Sequence, residues 1–321
     1  MPKIIAIVAL VLWGFALRAD AQDTSSALML VPMAEDRNAE IRAEIDVYLQ
    51  SKTDAGFDYG MQFGGVRGRV KLLPKLGFKS PRLGFEALYL DTDTLDPRIP
   101  DSLSETAVAV GFGLGPPISG WQLIGTLGVG FAGDNAYTGS GWYGLASVSA
   151  FKAFSKKSFL SVGLDFDGNR VIWPDVPIPV VTWTYIQNET LRWTFGFPIV
   201  SLTWDPVDWF TLDFTFIPPI RAVGGFTFHI GPKWDVFLRY RGANFAFTVN
   251  ANPRDNERLF YSEERVEFGV AYRPSAKVEF KAIAGWAFER RFRSGFDVRS
   301  TDNVAILEKD AVFALICTVA F

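Results

Sequence analysis

The sequence predicts an all-β fold, a transmembrane antiparallel up-and-down β-barrel of about 14 strands (roughly 12–16). Three observations predict it. Apolar and polar side chains alternate with period two along most of the chain, and no long uncharged apolar run follows residue 17. The composition is 49% hydrophobic with 29 Phe and 29 Gly. Period-two alternation puts successive side chains on opposite faces of a strand. A barrel spreads its apolar surface over alternate residues of many strands, which reconciles this hydrophobicity with the lack of helical spans.

Three segments divide the chain. Met1–Pro2–Lys3 is a short positive start, Ile4 to Leu17 is an apolar run, and Ala19–Asp20–Ala21 offers small residues for cleavage. The expected division is a signal peptide over 1–21, an irregular segment over 22–38, and the barrel over 39–321. The apolar run is shorter than the roughly 20 residues that cross a bilayer, so cleavage before Gln22 is expected and an uncleaved anchor is not. Losing Lys3, Arg18 and Asp20 moves the formal net charge from −3 to −4. That acidic balance gives no nucleic-acid partner, and one Cys excludes an internal disulfide framework.

Alternation starts in 39–50, where Ile41, Ala43, Ile45, Val47 and Leu49 oppose Glu40, Arg42, Glu44 and Asp46. Within 57–73, Val66, Val70 and Leu72 oppose Arg67, Arg69 and Lys71, and in 82–91, Leu83, Phe85, Ala87 and Tyr89 oppose Arg82 and Glu86. Strands follow over 105–114, 121–131, 142–154, 159–167, 180–186, 191–204, 210–216, 224–230, 234–249, 259–273, 276–288 and 310–321. Ser155–Lys156–Lys157, Asn188–Glu189–Thr190, Asp205–Pro206–Val207–Asp208 and Arg273–Pro274–Ser275 carry turn chemistry. Thr92–Leu103 and Ser294–Lys309 read as longer loops at the other end. Pro198 lacks a ladder donor, so 191–204 is either two strands or one bulged strand, giving roughly 16 or 15 in all. With one weak segment outside the cylinder the even number expected is about 14.

The last residues complete the pattern. Phe313, Leu315, Cys317, Val319 and Phe321 share one face of a terminal strand, against Ala314, Ile316, Thr318 and Ala320. A chain with an export signal that ends on an aromatic residue in such a strand resembles bacterial outer-membrane β-barrels. It looks most like the poorly characterised porin-like or transporter-like families among them. That resemblance implies location in the cell outer membrane and lipid contact. It also implies recognition of Phe321, as an insertion signal, by the barrel-assembly machinery. Aromatic residues at strand ends (Trp121, Phe131, Trp142, Trp193, Trp204, Trp209, Trp234) suit interface girdles, whereas a soluble β-sandwich would not need them.

If the apolar face meets lipid, the other lines a lumen. Glu40, Arg42, Glu44, Asp46, Arg67, Arg69, Lys71, Arg82 and Glu86 come from the first strands, and Arg239, Arg241, Arg265, Glu267 and Lys281 from the last ones. Chain ends are neighbours in a barrel, so these candidates should form one charged wall across the seam. The middle strands present Ala107, Ala109, Gly111, Gly113, Gly128, Gly130 and Gly163. The expected function is that of a porin-like passive channel or transporter for an unidentified small solute through this mixed-charge lumen. The alternatives are a closed structural barrel whose charges pair across strands and, behind it, a lipid-modifying outer-membrane enzyme; the apolar segment 27–33 could enter the lumen as a plug.

Catalysis is not expected, nor is any cofactor or metal. The one His reads His229–Ile230–Gly231, with Gly where the His-x-Ser pattern of outer-membrane lipid-modifying enzymes has Ser. Thr227 shares its face but is a rarer nucleophile. Asp91, Asp93 and Asp96 lack the Gly and distal Glu of a calcium loop. Glu289–Arg290–Arg291–Phe292–Arg293 reads as an outer strand end where guanidinium groups could meet lipid phosphates.

Overall fold

The computed structural model describes residues 37–135, 137, 139–218, 221–249 and 257–321. The expected signal peptide, the segment 27–33 and all but the last two residues of the irregular segment lie outside the described residues.

The strands are β1 (Ala39–Tyr48), β2 (Ser51–Lys52), β3 (Asp58–Lys71), β4 (Arg82–Thr94), β5 (Ser102–Gly113), β6 (Trp121–Gly133), β7 (Trp142–Ser155), β8 (Ser158–Asp167) and β9 (Ile178–Ile186). They continue as β10 (Leu191–Phe197), β11 (Val200–Val207), β12 (Phe210–Ile217), β13 (Arg221–His229), β14 (Trp234–Thr248), β15 (Arg258–Ser275), β16 (Val278–Asp297), β17 (Ser300–Ile306) and β18 (Asp310–Ala320). β2 extends β1, and β17 leads into β18, so the wall has sixteen staves and not about 14. Two elements account for the difference. Pro198 sits in the turn between β10 and β11, and 39–50 lies inside the cylinder, paired with both β18 and β3. The expected loop Ser294–Lys309 is mostly strand as well, because β16 reaches Asp297 and turns back as β17.

The seam closes as the alternation requires. Ile45 faces Leu315 and Val47 faces Phe313, so apolar side chains of both strands share the outer face. Asn38 donates to the Phe321 carbonyl at 2.6 Å, and the Phe321 N–H to Ala39 at 2.9 Å. The outer surface is apolar around the circumference: Leu127, Phe154, Trp183, Phe195, Trp209, Trp234, Phe268 and Leu315 are all exposed. Such a surface is stable against hydrocarbon and not against water. Phe131 differs from the girdle expected of it, being covered by the rings of Tyr137 and Trp142.

The interior is not one open cylinder. At the end away from the termini, β14 bends across and its Thr248 pairs with Gly133 of β6. These are the thirteenth and fifth of sixteen staves, on opposite sides of the wall. Glycine eases the close approach, since a Cβ at Gly133 would stand 3.0 Å from the Thr248 carbonyl oxygen. This waist divides the far end into two lobes. The lobe bounded by β14–β18 and β1–β6 is filled by an apolar core that includes Tyr59, Phe63, Leu103, Phe247, Tyr261 and Phe292. Loop 168–177, between β8 and β9, reaches across this end of the barrel. Asn169 there donates to Ala246 of β14 at 3.0 Å and to Glu105 of β5 at 3.1 Å.

Candidate functional site: the barrel interior

Below the apolar core, charged side chains of the first and last strands meet across the barrel interior. Arg241 donates to Glu44 at 2.8 Å, and Arg265 to Asp46 at 2.7 Å. Tyr48 and Tyr261 both donate to Glu263, at 2.6 and 2.9 Å. Arg42 reaches the second oxygen of Glu44 at 3.1 Å, and Arg265 lies 3.0 Å from Glu267. β1 and β15 are separated by two staves, whose inward residues Gly285, Ala287, Val312 and Ala314 leave the arginines room to cross. Buried charges persist only when paired and hydrogen-bonded. This network is a fixed filling.

The other candidates also face inward, nearer the chain termini. Arg69 pairs with Glu40 at 3.3 Å. Lys71 and Arg82 are opposed on β3 and β4 and both are buried. Arg67 and Glu86 are likewise opposed, in register. Arg239 and Lys281 lie over the Phe237 ring at 5.0 and 5.8 Å. Glu263, Tyr48, Tyr261 and Arg290 belong to the network but were not among the candidates. Glu263 shares the parity of Arg265 and Glu267 and was legible. Arg290 was not, because a bulge opposite Glu263 shifts the register and turns it inward, 4.6 Å above the Tyr48 ring.

The one histidine sits beside the termini end. Its Nδ1 is 2.7 Å from Asp235, and its Nε2 is 2.9 Å from the hydroxyl of Thr211, not of Thr227. The three resemble a catalytic relay until the hydroxyl proton is assigned. Thr211 has one proton and donates it to Asp205 at 2.5 Å. With that proton given to Asp205, the Thr211 oxygen is left to accept at Nε2. Arg273 bridges Asp235 to Glu279. The cluster ties β11 to β16 as a strut.

The β6–β13 lobe has different chemistry. Ser149, Ser161, Thr182, Thr203, Thr215 and Thr227 turn inward from β7, β8, β9, β11, β12 and β13, with Asp165 and Asp213 among them. Hydroxyl groups exchange hydrogen bonds with water at little cost. The small residues expected in the middle strands serve packing in part: without a Cβ, Gly130 lets the Tyr143 ring lie across it and donate to Glu105 at 2.9 Å.

Outside the wall, Arg98 of loop 95–101 holds Asp96 at 2.6 Å and Asp54 at 2.7 Å. The Arg98 hydrogen bond holds the Asp96 carboxyl down at about 2. The acidic stretch 91–96 is thus partly occupied by an arginine. No group of His, Cys, Asp and Glu able to hold a metal occurs among the described residues.

Closed antiparallel staves, an apolar exterior and a charged interior decide the class. The chain has the architecture of a membrane-spanning β-barrel. No protein-family model and no curated protein matches it. Solved structures similar to it include a FadL homologue from Pseudomonas aeruginosa, at 9% identity and TM-score 0.40, covering 96% of this chain and 97% of that one. The Pseudomonas putida toluene transporter TodX gives 9% identity and TM-score 0.39 over 94% and 93%. The Acinetobacter baumannii outer membrane protein Omp33 gives 10% and 0.36 over 89% and 98%. At these values the likeness is one of general form, and the functional reading rests on this chain's own residues.

Proposed function

We propose that the chain is an outer-membrane barrel with its termini in the periplasm, passing small polar solutes along its hydroxyl-lined lobe. One observation carries the reading: the interior is divided. The β14–β18 and β1–β6 side is filled with paired charges and apolar rings, while the β6–β13 side is lined mainly by hydroxyls, with charged groups such as Asp165, Asp213 and Arg192 among them. A filled half gives rigidity, and a wet polar half gives a path. The charged wall expected from the sequence then supports the path and does not line it.

Planar-bilayer recording of the purified protein tests this. The reading expects discrete steps that fall when Thr182→Arg adds bulk and charge to the lobe. Silence, even after residues 22–38 are removed and loop 168–177 is shortened, would leave the closed structural barrel. The Gly133–Thr248 closure favours that second reading.

A further inference from the structure

A cavity of about 320 Å³ opens where the short hairpin β12–β13 meets the bent upper parts of β14–β16. Its lower wall is Phe216, Ala222, Tyr240 and Gly242, and its upper wall carries Arg221, Arg291, Arg293 and Ser262. The side chains of Phe216, Tyr240, Arg291 and Arg293 lie on the outer face of the wall, because the bulge at Glu289 places Arg290 and Phe292 inward and their neighbours outward.

Height fixes what this cavity meets. Ala243 lies nine residues along β14 from Trp234, and Ser262 thirteen along β15 from Ser275. At ~3.4 Å per residue and a tilt near 45° these stand roughly 20–30 Å above the periplasmic ends, at the edge of an apolar band ~25 Å tall. The aromatic wall is then in the hydrocarbon and the arginine wall in the headgroup layer.

The polar groups are incompletely used. Ser262 Oγ and Arg293 Nε are buried without a hydrogen-bond partner, while Arg293 Nη2 donates to Asn244 at 3.1 Å. Three carboxylates border the same space. Glu263 is taken by Tyr48, Tyr261 and Arg265. Glu264 accepts from Tyr240. Glu289 accepts from Arg291 at 2.6 Å in an exposed pair, which an oxyanion of higher charge displaces readily. Guanidinium groups bind phosphate bidentately, and a hydroxyl adds a donor.

We propose that this cavity binds the phosphorylated sugar headgroup of an outer-leaflet glycolipid, with Arg291 and Arg293 on the phosphate and Phe216 and Tyr240 against the lipid below it. The inference rests on the membrane placement proposed above but needs no conducting path.

The test is binding by the delipidated, detergent-solubilised protein. The probes are a phosphorylated glycolipid, its dephosphorylated form, and free glucose 1-phosphate. The phosphorylated glycolipid should bind best, and Arg291→Ala/Arg293→Ala should weaken it about tenfold or more, to the level of the dephosphorylated form. Gly242→Leu, which fills the cavity and leaves both arginines, should weaken it similarly. Folding of each variant is checked by its heat-modifiable gel mobility, and Arg293→Lys should retain part of the affinity. Equal binding of the phosphorylated and dephosphorylated lipids, or binding unchanged in the double variant, would overturn the proposal. Preference for free glucose 1-phosphate would assign the cavity to a soluble solute and overturn the lipid. A barrel that binds the glycolipid but does not conduct would fail the transport reading alone.

Discussion

Arg265 and Asp46 meet at 2.7 Å from strands with two staves between them, and both side chains are almost wholly buried. The contact crosses the interior over Ala287 and Ala314, so the barrel is braced from inside as well as along its ladders. Removing one partner of a buried pair strands the other charge, which costs about 3–5 kcal/mol. Arg265→Met should therefore lower unfolding stability in urea by about that much. Arg265→Met/Asp46→Leu should lose less than the single variant, since no lone charge remains.

The seam gives a second prediction. Leu315 is outward and exposed, opposite Ile45. Leu315→Arg should cost about 2–4 kcal/mol if it lies near the bilayer midplane. Removing Phe321 should reduce the heat-modifiable fraction assembled in cells while leaving refolding into detergent unchanged. Equal losses in both settings would mean that Phe321 acts in packing alone.

Loop 95–101 should respond to acid. The Asp96 carboxyl is held at about 2 in the folded chain against an ordinary 3.8. A depressed carboxyl stabilises above its unfolded value, and that stabilisation fades as pH falls from about 4 toward 2. Protease cleavage within 95–101 should rise over that window, and Arg98→Ala should cleave readily at neutral pH.

Period two made most staves legible, as well as the seam and the inward charges from Glu40 to Glu86, because strand side chains alternate without exception until a bulge intervenes. It failed where other physics governs. β17 (Ser300–Ile306) projects beyond the apolar band and has no need of an apolar outer face, so it read as loop. Glu289 takes φ +50° at the bulge, which reverses the parity of Arg290 to Arg293. Phe63, Phe245 and Phe247 face inward because the far end of the filled lobe is packed like a globular core. The waist joins Gly133 to Thr248, a pairing between remote segments that local alternation does not encode.

The His229 strut predicts an absence of hydrolysis. Thr211 donates to Asp205, so its hydroxyl proton is directed away from the imidazole. Phospholipid vesicles incubated with the purified protein should release no fatty acid. Release that stopped on both His229→Ala and Thr211→Val would show a working relay instead.

Charged thiol modification under bilayer recording tests the divided interior most directly. In a Cys317→Ala background, Thr182→Cys places a thiol in the hydroxyl-lined lobe and Ala287→Cys one within the filled lobe. The account predicts that the reagent lowers conductance through the Thr182→Cys protein and leaves Ala287→Cys unchanged. Block at Ala287→Cys with no effect at Thr182→Cys would place the path through the charged half and contradict it.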